Sequence, residues 1–261
     1  MNHPFKPRIG AVMSADIAIP RHAEMVQFYA QILTTGEEPL WQADLMNNQG
    51  TPVIGLGPQS PDYAGLPVQW MPHFQVADVA QSAHQAVKLG GTELMHGKDD
   101  AGMSQWAVIQ DHNGAVFGLI PVVSEAMVPD YAQDESAPYG HIAWLDLTVP
   151  NAETTRDFYQ AVIGSQAEDV PMQDGDQAYA DYNMLGSDGQ ACGGVCHASG
   201  SNQTLPPVWL IYLPVGDLDA SLKWVEQKDG KLIKTYQNNA GQTTMAVIQD
   251  PVGAYVALAQ G

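Results

Sequence analysis

Apolar positions along the chain follow two rhythms in turn. Met25, Phe28, Tyr29, Ile32 and Leu33 stand at i, i+3, i+4, i+7 and i+8, which predicts a helix with one buried face, ending at Gly36. Phe158, Tyr159, Val162 and Ile163 ahead of Gly164 repeat that face. Two further helices open on the N-cap candidates Asp78 and Asp217. Their buried faces are Val79, Ala83, Ala86 and Val87 before Gly90-Gly91, and Leu218, Leu222 and Val225 before Gly230. Ahead of the helices lie runs of strand character, Val12 to Ile19, Gln69 to Val76, His141 to Val149 and Val208 to Val215. Short strands follow each helix, with turn signals at Asn113-Gly114 and Asp250-Pro251-Val252-Gly253 before the last. Strand-helix-strand-strand-strand, four times over, is an α+β pattern.

The four units come as two copies. The stretch 101–120 recurs at 240–259 with ten of twenty positions identical, including Ala-Val-Ile-Gln-Asp at 107–111 and 246–250. The same offset, 139, aligns Leu66-Pro-Val-Gln-Trp70 with Leu205-Pro-Pro-Val-Trp209, Gly55 with Gly194, and Asp78 with Asp217. Nearer the start of each copy the offset is 130, pairing Asp16-Ile-Ala-Ile-Pro20 with Asp146-Leu-Thr-Val-Pro150 and Phe28-Tyr29 with Phe158-Tyr159. The nine residues of difference fall within the stretch from Gln173 to Gln190. The expected organisation is a first domain at 9–121, a linker at 122–139 and a second domain at 140–261.

Composition agrees with packed domains: 45% of the 261 residues are hydrophobic and 15% charged. Ten Lys and Arg against 29 Asp and Glu leave a net charge of -19. Such a surface repels nucleic acid and anionic membrane, so neither is expected as a partner. No run of about 18 apolar residues occurs, and a soluble, cytoplasmic protein is expected. A small-molecule ligand is the expected partner, and a homodimer stays open.

The segment Cys192-Gly-Gly-Val-Cys196-His197 invites a metal reading. On a strand, however, residues four apart lie roughly 13 Å from each other at about 3.3 Å per residue, too far for a disulfide or one shared ion. Walker-type loops, a dinucleotide fingerprint and a Gly-x-Ser-x-Gly elbow are absent, which removes phosphate-handling and serine-hydrolase chemistry.

The segments Asp157-Phe-Tyr159, Pro207-Val-Trp-Leu-Ile-Tyr-Leu-Pro-Val-Gly-Asp217 and Met245-Ala-Val-Ile-Gln-Asp-Pro-Val-Gly-Ala254 resemble the vicinal oxygen chelate superfamily. That superfamily includes glyoxalase I, bleomycin-resistance proteins and extradiol dioxygenases. The resemblance covers essentially the whole chain and is strongest to the tandem, two-domain glyoxalase-like branch. It implies that paired βαβββ units curl an open, cup-shaped mixed sheet, and that in the enzymes of the group the cup holds a divalent metal. The family's ligand positions fall here on Ser14, Gly55, Met71 and Gly118, then on Trp144, Gly194, Leu210 and Ala257. Apart from the Ser14 hydroxyl none can ligate a divalent ion, so no metal and no cofactor are expected.

Strand alternation puts Ser14 and Asp16 on one face, and Met71, His73 and Gln75 on the matching face of the next unit. The counterparts in the second copy are Trp144, Asp146 and Thr148, then Leu210 and Tyr212. By the family's geometry these faces line the cups, and Asp16 with His73 would supply a carboxylate and an imidazole for orienting a substrate or moving a proton. The alternative, and the reading favoured for such residues in general, is a polar core residue satisfied within the fold. Trp70, Trp144 and Trp209 are candidates for stacking on a flat ligand, with core packing as the alternative. The expected function is thus binding of an apolar or aromatic small molecule without the usual metal ligands. The alternative is a lyase, isomerase or hydroxylase-like enzyme of the same superfamily.

Overall fold

The computed structural model describes residues 7–33, 41, 42, 45–48, 51–127 and 141–261. Four βαβββ modules follow one another. The first has β1 (Val12–Ile19), α1 (His22–Ile32), β2 (Trp41–Gln42), β3 (Leu45–Asn48) and β4 (Thr51–Pro58). In the second are β5 (Met71–Val76), α2 (Val79–Lys88), β6 (Thr92–Lys98), β7 (Ser104–Gln110) and β8 (Val116–Pro121). The third holds β9 (Trp144–Val149), α3 (Ala152–Ile163), β10 (Gln166–Asp174), β11 (Gln177–Leu185) and β12 (Ala191–His197). The fourth comprises β13 (Trp209–Val215), α4 (Leu218–Gln227), β14 (Lys231–Gln237), β15 (Thr243–Gln249) and β16 (Tyr255–Gln260). The strands of the first copy are ordered β2-β3-β4-β1-β5-β8-β7-β6 and those of the second β10-β11-β12-β9-β13-β16-β15-β14, each an open mixed sheet. Within every module the first and last strands run parallel. No helix among the described residues is long and apolar enough to cross a membrane.

The local signals act as their chemistry requires. The Asp78 carboxylate accepts from the Gln81 backbone N–H and Asp217 from that of Ala220, each capping its helix. Gly164 ends α3 at φ 81°, where a Cβ would be strained, and its N–H reaches the Gln160 carbonyl. The predicted end of α1 at Gly36 lies outside the described residues; the helix runs to Ile32. Two expected helix faces need correction. Val87 is 49% exposed and Leu222 only half-buried, because the buried stripes run through Ser82 and Ser221 instead. A serine there is small, and the Ser221 hydroxyl donates to the Ile32 carbonyl at the end of α1.

Compact packing divides the chain differently from the repeat. One unit gathers Met1–Met13, Met71–Ala132 and Leu145–Trp209; the other gathers Ser14–Trp70, Gln133–Trp144 and Leu210–Gly261. Each therefore combines one module of each copy. Inside the first unit α2 packs on α3, and inside the second α1 packs on α4.

Each unit has the same buried polar network at its centre. In the second, Trp70 Nε1 donates to the Tyr29 hydroxyl at 3.2 Å, and that hydroxyl donates to Asp250 Oδ2 at 2.9 Å. In the first, Trp209 Nε1 donates to Tyr159 at 2.9 Å, which donates to Asp111 Oδ2 at 3.2 Å. The other carboxylate oxygen closes the turn before the last strand, accepting from Asn113 and Ala115 N–H at Asp111, and from Val252 and Ala254 N–H at Asp250. Burial, and next the neighbouring carboxylate, hold both phenols well above their ordinary pKa, so both stay neutral donors. Tyr29 and Trp70 come from the first copy and Asp250 from the second; Tyr159 and Trp209 come from the second and Asp111 from the first. The repeated motifs thus join the copies reciprocally. Aromatic rings complete each core: Phe74, Phe117, Phe158, Tyr159 and Trp209 in the first unit, and Phe28, Tyr29 and Trp70 in the second.

Candidate functional site

The parallel register sets one polar first-strand residue opposite one small last-strand residue in every module. The pairs are Asp16 with Gly55, His73 with Gly118, Asp146 with Gly194, and Tyr212 with Ala257. At Gly118 and Gly194 the missing side chain leaves room that His73 and Asp146 occupy. A Cβ at Gly118 would come within 2.5 Å of the His73 ring, and one at Gly194 would collide with Asp146 Oδ1. Near that same point is the Cys196 sulfur, 3.7 Å from where the Cβ would stand. Asp16 is exposed, Ser14, His73 and Asp146 half-buried, and Tyr212 only 5% exposed.

Other candidates from the sequence are placed as follows. Asp16, Ser14, Trp144 and Tyr212 belong to the second unit; His73, Gln75 and Asp146 belong to the first. Trp70 and Trp209, candidates for stacking on a ligand, are each 1% exposed and spend their indole N–H on the tyrosine networks. They serve the core because they precede the strand positions whose side chains take the other face. Gln75 is fully buried, its amide donating to the Ala11 carbonyl and accepting from Val123 N–H, so it ties backbone segments together. Trp144 is half-buried, where Trp70 and Trp209 are almost wholly enclosed.

The superfamily's divalent metal can be tested against these residues. Its last-strand positions carry Gly55, Gly118, Gly194 and Ala257, which bring no donor, and at two of them a neighbouring side chain fills the space a ligand would need. Among the described residues no group of three or more His, Cys, Asp or Glu is arranged to hold a metal ion. The donor set at these positions does not fit such an ion.

The structure adds a pair that spacing alone did not reveal. At the end of β12 the His197 backbone N–H donates to Asp181 Oδ1 at 2.7 Å, and the ring Nδ1 lies 3.2 Å from the same oxygen. The two residues are 16 apart on neighbouring antiparallel strands, and no local motif marks that pairing. Neither Cys192 nor Cys196 is in a disulfide. Burial pushes the Cys192 thiol up to about 12, and its sulfur donates to the Met184 carbonyl at 3.2 Å.

Two family descriptions match the chain: "Glyoxalase-like domain" over residues 14–120, and "Glyoxalase/Bleomycin resistance protein/Dioxygenase superfamily" over residues 140–258. The chain belongs to the vicinal oxygen chelate superfamily, as two such domains in tandem. It is similar to the anthracycline biosynthesis protein DnrV of Streptomyces peucetius, 31% identical over 131 residues. That match spans 46% of this chain and 46% of DnrV, so the chain covers about half the length of this curated relative. Among solved structures, a triple mutant of 4-hydroxymandelate synthase from Streptomyces coelicolor aligns over 98% of this chain and 93% of its own, at a TM-score of 0.53 and 12% identity. A homoprotocatechuate 2,3-dioxygenase variant from B. fuscum aligns over 98% and 72%, at a TM-score of 0.56 and 12% identity. At such identities the likeness shows the fold.

Proposed function

We propose that this protein binds a small aromatic molecule on its first-strand polar residues, without a divalent metal at the superfamily's ligand positions. The supporting observation is the fourfold register in which a polar side chain stands over glycine or alanine. Such a pair sets a hydrogen-bonding group for a ligand beside a last-strand position at which the superfamily's enzymes carry a metal ligand. In the first unit the contacts are His73 over Gly118 and Asp146 over Gly194; Asp16 offers a carboxylate in the second. The half-buried Trp144 favours an aromatic ligand, and a relative named for anthracycline biosynthesis supports that class. The net charge of -19 argues against nucleic acid and membrane as partners.

The test uses a hydroxyanthraquinone probe in calorimetry, with metal content measured on protein purified without added metal. Saturable binding that chelators leave unchanged is expected. His73→Ala is expected to weaken it by about 1 to 3 kcal/mol, the value of one buried hydrogen bond left unmade. Gly118→Ala displaces the same ring and should weaken binding in the same direction. One equivalent of Zn, Ni, Fe or Mn per chain, or binding abolished by chelation, would overturn the proposal.

A further inference from the structure

We propose that Asp181 and His197 form a proton-transfer site for an aromatic carbon acid, with His197 as the base and Asp181 as its positioning residue. This rests on geometry separate from the first-strand positions discussed above.

The fold does not itself ask for a histidine there. By register, His197 opposite Val149 is equivalent to Pro58 opposite Ile19, Pro121 opposite Val76 and Gln260 opposite Val215. Two of the four modules close the same strand end with proline, which has no N–H to donate. In the fourth module Gln260 uses its amide on the start of α4, accepting from Leu218 N–H and donating to the Gly216 carbonyl. Only the third module places a titratable ring at this point. Its partner Asp181 lies within the stretch from Gln173 to Gln190 that holds the extra residues of the second copy.

The pair has the geometry of an oriented base. The Asp181 side chain is 7% exposed and is fixed by the His197 backbone N–H, so its position does not depend on the ring. A carboxylate at Nδ1 selects the tautomer in which Nδ1–H donates and Nε2 keeps its lone pair. Among the described residues nothing bonds to Nε2, and the His197 side chain is 24% exposed, enough for a small molecule to reach it. Both nitrogens of His96, by contrast, are engaged, by Glu93 and Ser104. The Tyr179 ring stands edge-on to His197 at 5.4 Å and Tyr182 lies at 6.4 Å, an aromatic surround suited to a flat substrate. Arg156 sits 4.4 Å over the Tyr182 ring, its guanidinium paired with Asp157, and holds that ring in place.

The probe is 5-nitrobenzisoxazole, whose ring opening needs a base and nothing else. Nε2 takes the C3 proton, the C–H electron pair becomes part of the nitrile, the N–O bond breaks, and oxygen leaves as the phenolate. The imidazolium then returns its proton to water. The full chain is expected to open the probe at least tenfold faster than His197→Ala, with free imidazole restoring part of the lost rate. Asp181→Asn should lower kcat about tenfold with little change in KM, while His84→Ala, at an exposed histidine of α2, leaves the rate unchanged. Nitrogen-15 NMR of the unsubstituted chain should show the Nδ1–H tautomer at His197, a readout that stands even if a variant fails to fold. An unchanged rate in His197→Ala, or the Nε2–H tautomer, overturns the proposal.

Discussion

Replacing Tyr29 by Phe tests the buried networks most directly. The change removes one hydroxyl and little volume, so packing is almost conserved. It deletes two hydrogen bonds, from Trp70 Nε1 at 3.2 Å and to Asp250 Oδ2 at 2.9 Å. A neutral hydrogen bond contributes about 0.5 to 1.5 kcal/mol net, and one to a charged acceptor about 1.5 to 3. A buried indole N–H also loses its acceptor, so the expected loss is about 2 to 4 kcal/mol. Tyr159→Phe is the internal control: Asp111 Oδ2 keeps a donor in Asn113 Nδ2 at 3.3 Å, and the loss should be smaller. Urea unfolding of both variants measures the difference. A cycle with Trp70→Phe should give a coupling near 1 kcal/mol, because the two residues share one bond. A loss below about 0.5 kcal/mol for Tyr29→Phe, or strict additivity with Trp70→Phe, would refute the view that these motifs hold the copies together.

Two other outcomes follow from buried ionisable groups. Burial raises the Asp250 carboxyl more than its hydrogen bonds from Tyr29 and the turn backbone lower it, so the folded chain holds that proton more tightly than the unfolded chain. The resulting stability is present below the ordinary pKa of 3.8 and is lost as pH rises through the folded value, so the stability of the native chain relative to Asp250→Asn should fall from acid toward neutrality; a flat difference across that window would count against it. In a Cys196→Ser background, Cys192, its thiol pushed up to about 12, should react with iodoacetamide at pH 8 at least ~100-fold more slowly than in urea, and equal rates would contradict its burial.

The sequence carried the repeat, the four modules and both aspartate caps, because each is written in local spacing. It did not carry the pairing of modules into compact units, since α1 meets α4 and α2 meets α3 across long separations that leave no periodic mark. The buried serines show a related limit. Ser82 and Ser221 sit where an apolar residue would be expected, because closeness between helices selects for size as well as polarity. Trp70 and Trp209 look the same in sequence whether they stack on a ligand or fill a core. Only the hydroxyls of Tyr29 and Tyr159 within hydrogen-bond reach distinguish the two. His197 and Asp181 were hidden for the opposite reason: their relation depends on strand register.

The duplication itself helps to separate folding from function. Residues kept at equivalent places in both copies, Tyr29 and Tyr159, Trp70 and Trp209, Asp111 and Asp250, all enter networks that need both copies to be complete. Loss of any one leaves a buried partner unsatisfied, which is costly whatever the protein binds. Equivalent places filled by chemically different residues carry no such demand. Along one register line stand Asp16, His73, Asp146 and Tyr212; along another, three residues further on, stand Pro58, Pro121, His197 and Gln260. The fold accepts a carboxylate, an imidazole, a phenol, a pyrrolidine or an amide at these points, so its stability does not explain which one is present. Specific chemistry must then be sought where the modules diverge, and it is there that His73 and His197 are found.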